Sequence, residues 1–332
     1  MNTEIIEEYK EALGLDVWDA LSLVLSQATN DESLQELNSR VAPVGKFVGR
    51  TKKDDKVVVT KMEGNTAYSR PNGEKYYSRP WGEHSDVEVL RRAREATSKT
   101  GVSPMFSLLY GAPGCGKTAL VEAAFEDVYT LMGTGDTEVA DLLGGYIQTK
   151  DGGFEWRDGD LVRAAEEGAV YFIDEIGLID PKVLSVVYGL MDGRQELNIT
   201  ANPDRGTVKA KSGFYVVAAT NPNAPGVRLS EALLSRFSIQ VEMTTDWELA
   251  RKLKVPQRLV TAAQMLSKKQ TNRETSWAPQ MRELLAFRDI AELYGTKFAL
   301  ENLLAQAPEM DRPIVADIIT RAYAEEHRPA RI

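Results

Sequence analysis

The segment Gly111-Ala112-Pro113-Gly114-Cys115-Gly116-Lys117-Thr118 restricts this chain more than any other, because it fits G-x-x-x-x-G-K-[ST]. Glycines let a backbone curl until successive N–H groups point inward, where they can hold phosphate oxygens. An apolar run, Phe106-Ser107-Leu108-Leu109-Tyr110, precedes the loop and reads as a strand. A helix is expected over Thr118–Tyr129, and its positive N-terminal end adds to the anion site. Gly111, Ala112, Pro113, Gly114, Cys115, Gly116, Lys117, Thr118 and Ala119 are thus the candidate nucleotide cradle. Lys117 is expected to reach the β- and γ-phosphates, and Thr118 to place its hydroxyl on Mg²⁺.

Two further strand tips point to the same place. Val170-Tyr171-Phe172-Ile173 runs into Asp174-Glu175, four strand formers ending in two carboxylates. Open α/β sheets gather ligands at the carboxyl ends of their strands. Asp174 is the candidate second Mg²⁺ residue, and Glu175 the candidate group that orients the attacking water. Val216-Val217-Ala218-Ala219-Thr220-Asn221 is another strand with a polar tip. Asn221 can position water there, although an Asn before Pro222 also suits a plain turn.

Short apolar strands alternating with helical runs over 86–245 predict a parallel sheet covered by helices on both faces. The expected strands are Phe106–Tyr110, Val170–Ile173 and Phe214–Ala219, and Val87–Thr97 is an expected helix. Beyond Asp246 helical patterns follow at 246–254, 257–272, 279–294, 297–306 and 313–326, punctuated by Pro256, Pro279, Pro308 and Pro313. The expected organisation is an N-terminal helical region at 1–40, a basic arm or small β element at 41–85, an α/β core at 86–245 and a helical lid at 246–332. Within the arm, Val57-Val58-Val59 reads as a strand, and Pro71-Asn72-Gly73 between Tyr68 and Tyr76-Tyr77 as a hairpin turn.

Composition excludes several classes. A net charge of −9 argues against coating nucleic acid with the whole surface, though a local basic patch is compatible with it. One cysteine forbids an intrachain disulfide and suits a reducing cytoplasm. Two histidines and that cysteine make a zinc site built from such ligands implausible. No apolar run is long enough to span a bilayer, and the acidic amino terminus lacks a signal-peptide core.

Taken in order, Gly111–Thr118, Ile173-Asp174-Glu175, Thr220-Asn221, Leu234-Ser235-Arg236-Phe237 and then an arginine on a helix of the carboxy-terminal region resemble the AAA+ ATPases. The stretch Asp141-Leu142-Leu143-Gly144-Gly145-Tyr146 through Asp158-Gly159-Asp160-Leu161-Val162-Arg163-Ala164 is similar to the MoxR-like, helix-2-insert group. The resemblance covers roughly residues 85–330. It implies an AAA+ P-loop core with a helical lid, Walker A at 111–118, Walker B at 170–175 and sensor 1 at Asn221. It further implies an arginine finger at Arg236 and a sensor 2 arginine at Arg282. The sensor 2 segment, Ala278-Pro279-Gln280-Met281-Arg282, departs from the group's adjacent Pro-Arg, which leaves its register open. Two hairpins are implied: Tyr146–Thr149 with Phe154–Trp156, and Leu197–Thr200 with Thr207–Ala210. In related rings such hairpins face the pore.

The resemblance also implies ATP and Mg²⁺ as cofactors, and a homo-oligomer, as a hexameric ring or a helical assembly. Family members commonly act on protein clients together with a partner carrying a von Willebrand factor A domain. Asn221-Pro222-Asn223-Ala224 lacks the longer signature of a GTP-using branch, which favours ATP. A rival reading starts from the basic stretch, with Lys46, Arg50, Lys52, Lys53, Lys56, Lys61, Arg70, Lys75 and Arg79 interleaved with Tyr68, Tyr76, Tyr77 and Trp81. Such a stretch can bind phosphate backbones and stack on bases, making the chain a nucleic-acid motor or scaffold. The plainer expectation is that these residues dock the arm on the core or on a neighbouring subunit.

Overall fold

The structure is a computed structural model that describes residues 60–62, 65–98 and 104–330. The expected helical region at 1–40, the Val57–Val59 strand and the basic residues from Lys46 to Lys56 lie outside the described residues.

The described residues begin with a three-stranded antiparallel sheet, β1 (Thr60–Met62), β2 (Asn65–Ser69) and β3 (Lys75–Tyr77). The β2–β3 turn is the expected one: Gly73 adopts φ +82, and Gly73 N donates to Arg70 O at 2.9 Å. Tyr68 lies opposite Tyr76 across it. A short pair, β4 (Pro80–Trp81) and β5 (His84–Ser85), then leads into the helix Asp86–Thr97, whose start Ser85 caps by accepting from Glu88 N.

The core sheet holds β6 (Ser107–Tyr110), β7 (Val128–Met132), β10 (Val170–Asp174), β13 (Tyr215–Thr220) and β14 (Ile239–Glu242), in the order β14-β6-β13-β10-β7. Every pairing within it is parallel. β10 and β13 are interior strands buried along their whole length, as continuous apolar runs require. Two hairpins branch off, β8 (Gly144–Gln148) with β9 (Phe154–Asp158), and β11 (Glu196–Asn198) with β12 (Thr207–Lys209).

The helix expected over Thr118–Tyr129 is shorter than its sequence suggests. The helix after the phosphate loop covers Lys117–Ala124 and does not reach Tyr129. Phe125 turns extended at φ −136, and Val128–Met132 becomes edge strand β7. Its residues are half-buried or exposed, and they pair with β10 in register, Tyr129 opposite Tyr171. Sheet pairing supplies what local helix propensity cannot outweigh.

From Trp247 onward the described residues contain helices and no strand: Trp247–Lys252, Gln257–Thr271, Met281–Tyr294, Thr296–Gln306 and Arg312–Tyr323. Asp246 caps the first by accepting from Leu249 N at 2.9 Å. These helices share their own apolar cluster, with Leu259, Leu266, Leu284, Phe287, Leu300, Leu304 and Ile319 buried. Each such side chain contributes about 1.5–3 kcal/mol on burial. The sheet and its flanking helices form a second cluster around Leu108, Leu109, Phe172, Ile173 and Val216–Ala219.

Candidate active site

Because the core strands are parallel, their carboxyl ends share one edge, and the expected residues gather there. Tyr110 ends β6 opposite Thr220 of β13, and Asp174 ends β10 opposite Met132 of β7. The loop after β6 takes positive φ at Gly111, Gly114 and Gly116. Gly111 has no room for a side chain, since a Cβ would collide with Met243 O. Gly116 caps the following helix at φ +100 with no side-chain hydrogen bond, which leaves the helix's first amides to a ligand.

Lys117 is buried, and its ammonium donates to the loop carbonyls of Gly111 at 2.9 Å and Ala112 at 3.0 Å. It pairs with no carboxylate among the described residues. A buried cation without a counter-charge is costly, and an anionic ligand in the loop relieves that cost. The residues therefore fit a polyphosphate. Cys115 is fully buried behind the loop, and burial pushes its thiol pKa up, so it is an inert filler.

Thr118 Oγ1 donates to Asp174 Oδ2 at 2.7 Å, joining the helix start to the tip of β10. Asp174 is buried, and its other oxygen accepts from Glu175 N at 3.0 Å. A hydroxyl and one carboxylate are hard oxygen donors too few to cage a metal by themselves. That suits Mg²⁺, which keeps waters and takes further oxygens from phosphates. No group of three or more His, Cys, Asp or Glu side chains among the described residues is arranged to hold a metal on its own.

Glu175 takes a left-handed backbone, φ 53, rare for a side chain of this size. This turns the chain sharply from β10 into the 3-10 helix Ile176–Leu178, and Leu178 N donates back to Glu175 O at 3.0 Å. Asp174 is thus buried against Thr118 while Glu175 is half-exposed beside it. Gly133, just past β7, is packed against both: its N–H donates to Asp174 O at 2.8 Å, and an added Cβ would lie 2.7 Å from Glu175 O.

Asn221 follows β13. Its Oδ1 accepts from Asn223 N at 3.2 Å, so the side chain does form a turn, and its Nδ2 has no partner among the described residues. Arg282 is the second residue of the helix Met281–Tyr294 and is exposed. Its backbone N donates to Gly114 O at 3.2 Å, which brings this lid helix onto the phosphate loop despite the unusual spacing from Pro279.

Arg236 is not gathered with these groups. Its guanidinium carbon lies 4.1 Å over the Tyr188 ring, Nη1 donates to Ala232 O, and Nε is buried without a partner. None of these partners belongs to the phosphate loop.

Sequence reasoning missed Tyr188, Gly133 and Arg79. Arg79 Nη2 donates to Cys115 O inside the loop at 2.5 Å, across 36 residues of sequence. Its only sequence signal was membership of the basic stretch. Within the described part of that stretch, Arg70 and Arg79 are bonded to the rest of the chain. Arg70 pairs with Glu122 at 2.8 Å and with Glu74, and Tyr76 is buried in the core cluster.

A P-loop with paired strand-tip carboxylates on a five-stranded parallel sheet defines a nucleoside-triphosphate-binding α/β protein. Comparisons with known proteins narrow the class. Residues 107–237 match the model of the AAA domain of the dynein-related subfamily. The chain is 31% identical to uncharacterized protein YojN of Bacillus subtilis over 225 residues, spanning 62% of this chain and 73% of that one. It is 31% identical to protein NorQ of Paracoccus denitrificans over 221 residues, 64% of this chain and 78% of that one. An uncharacterized protein of Staphylococcus saprophyticus, SSP1341, is 28% identical over 62% of this chain and 85% of its own. The chain belongs to the AAA+ ATPases, in the MoxR-like group.

Proposed function

We propose that this ATPase hydrolyses ATP at interfaces between copies of itself and uses the cycle to remodel a protein client. In this reading Lys117 and the loop amides of 111–119 bind the phosphates of ATP. Thr118 and Asp174 would hold Mg²⁺, which would supply charge that neutralises the phosphates. Glu175 and Asn221 orient the attacking water, and Arg282 serves as the sensor 2 arginine on the lid side. Arg236 acts on the nucleotide of the adjacent subunit, where a guanidinium stabilises charge that develops only in the transition state. A closed hexamer and a helical array both satisfy that geometry. A von Willebrand factor A domain partner is the expected adaptor.

The observation that carries client contact is the β8–β9 hairpin. Tyr146 and Trp156 face each other across it with ring centroids 5.2 Å apart, and Phe154 pairs opposite Gln148 on the same face. Phe154 is 71% exposed and Tyr146 57%, an unusual placement for aromatic rings unless something covers them. No helix among the described residues is long and apolar enough to cross a membrane.

The test is ATP turnover measured alone, with an unfolded polypeptide, and with single- and double-stranded nucleic acid. Polypeptide should raise turnover, and Phe154→Ala should abolish that rise while keeping the basal rate. Stimulation by nucleic acid alone, with binding that falls steeply with salt and weakens on replacing Lys52, Lys53 and Lys56 by Ala, would replace this reading with the nucleic-acid one.

A further inference from the structure

Arg79 holds two backbone carbonyls that belong to different parts of the machine. Nη2 donates to Cys115 O in the phosphate loop at 2.5 Å, and Nη1 donates to Thr244 O at 2.8 Å. Thr244 lies between β14 and Asp246, the residue that caps the first lid helix. Next to it, Thr245 Oγ1 bonds Gln280 Oε1 at 2.7 Å, just before the lid helix that reaches Gly114. Arg79 Nε is buried and unpartnered, so the guanidinium is committed to these two carbonyls.

The arginine is itself held in place. Its backbone N donates to Asp86 Oδ1 at 3.0 Å, and Asp86 also accepts from Val87 N at 2.8 Å and from the Tyr76 hydroxyl. Neighbouring strand residues point to opposite sides. Accordingly Tyr76 is buried in the core cluster, while Tyr77 packs against the lid cluster. Asn65 adds a bond from Lys252 Nζ at 2.9 Å. The β2–β3 hairpin therefore spans core and lid, and Arg79 follows it at the phosphate loop.

A trans peptide is planar, and its C=O and following N–H point in opposite directions. Holding Cys115 O toward Arg79 turns Gly116 N–H the other way, away from the guanidinium. Gly116 has φ +100, which favours glycine, and a Cβ there would stand 2.9 Å from Arg79 Nη2 and displace the guanidinium. We propose that Arg79 is a positioning residue for nucleotide binding: it fixes the Cys115–Gly116 peptide so that its N–H faces the phosphates, and it ties that peptide to the root of the lid. A planar fork that serves two carbonyls at once is a task for arginine, since lysine offers a single point charge.

The proposal rests on the loop's binding nucleotide, which the unsubstituted protein's own titration checks first. The experiment titrates the full chain with ADP and with a non-hydrolysable ATP analogue. It compares Arg79→Ala and Arg79→Lys with Arg70→Ala. Arg70 anchors the same hairpin through Glu122 and touches no loop atom. Arg79→Ala should lose roughly tenfold in affinity for both nucleotides, Arg79→Lys should lie between it and the parent, and Arg70→Ala should stay within about twofold of the parent. Melting temperatures without nucleotide should be similar for Arg79→Ala and Arg70→Ala. Parental affinity in Arg79→Ala overturns the proposal, as does an equal loss in Arg70→Ala, which would assign the effect to general docking of the hairpin. Should Arg79→Ala not fold, Arg79→Lys carries the test, and parental affinity in that variant overturns the proposal. A parent that binds no nucleotide would instead remove the nucleotide-site reading itself.

Discussion

The guanidinium of Arg236 stacks on the ring of Tyr188 with its central carbon 4.1 Å from the ring centroid. Tyr188 is in turn positioned by its hydroxyl, 3.2 Å from Ser230 Oγ, on the segment that caps the helix carrying Ala232. Asp192 lies close enough that the charge of Arg236 contributes to lowering its carboxyl pKa, after Arg194. A long, charged side chain is thereby held in one orientation before it meets any partner. Stacking of this kind is worth about 0.5–2 kcal/mol. Tyr188→Leu should therefore lower turnover by roughly 2- to 30-fold at unchanged nucleotide affinity, and Tyr188→Phe should stay near the parent. Steady-state turnover combined with nucleotide titration checks both. A loss of affinity in Tyr188→Leu would mean that the ring supports the fold and not the arginine.

In the proposed reading the loop binds nucleotide and the tip of β10 carries the chemistry. Lys117→Ala removes the buried ammonium, and nucleotide affinity should fall roughly 10- to 100-fold, as expected for charge-assisted hydrogen bonds. Glu175→Gln keeps the shape of the site and should bind ATP like the parent, while turnover falls roughly 10²- to 10⁴-fold. Paired titration and phosphate-release assays read the two effects separately. Parental turnover in Glu175→Gln would remove the assigned role of Glu175.

Gly133 offers a test of how tightly these carboxylates are seated. A methyl group there meets Glu175 O at 2.7 Å, Ile179 Cγ1 at 2.8 Å and Asp174 O at 3.0 Å. Backbone atoms cannot swing away as a flexible side chain can, so Gly133→Ala should cost about 1–3 kcal/mol of stability. It should lower turnover more than it lowers nucleotide affinity, because the loop is untouched. Thermal denaturation and turnover of the same preparation measure both.

Arg205 joins the two hairpins that branch from the core. It lies in the β11–β12 connection, donates to Asp158 at the end of β9 at 3.0 Å, and meets Glu166 at 2.5 Å. The two carboxylates hold its guanidinium firmly protonated. The cluster is only partly buried, so Arg205→Ala should cost about 1 kcal/mol at most in stability. Polypeptide-stimulated turnover should fall further than basal turnover, since hairpins that move independently transmit less. Equal effects on both rates would show that the cluster only stabilises the core.

Much of this was legible in the sequence, for identifiable reasons. Val170–Asp174 and Tyr215–Thr220 are interior strands, so their apolar runs are continuous and end in polar tips. The lid helices stood out because Pro256, Pro279, Pro308 and Pro313 punctuate a strong helical period. The edge strands were harder. Ile239–Glu242 alternates in burial over only four residues, and Val128–Met132 follows the phosphate-loop helix closely enough to read as its continuation. Arg79 was illegible as a loop partner, since its two carbonyls lie 36 and 165 residues away, and only the folded chain brings them together. Tyr188 carried no motif at all. The basic stretch suggested a nucleic-acid surface, yet Arg70 and Arg79 are spent on internal bonds, and Tyr76 is buried.

A hydrolytic site shared between subunits predicts a specific outcome when two inactive variants are mixed. Arg236→Ala should bind ATP nearly as well as the parent and lose turnover by roughly 10³- to 10⁵-fold. Glu175→Gln should be inactive for a different reason. In a mixed assembly some interfaces combine an intact Glu175 from one subunit with an intact Arg236 from the next. ATP turnover of the mixture, with co-assembly verified independently, should therefore rise well above that of either variant alone. If co-assembled mixtures remain as inactive as the separate variants, Arg236 does not act across an interface and the shared site is refuted.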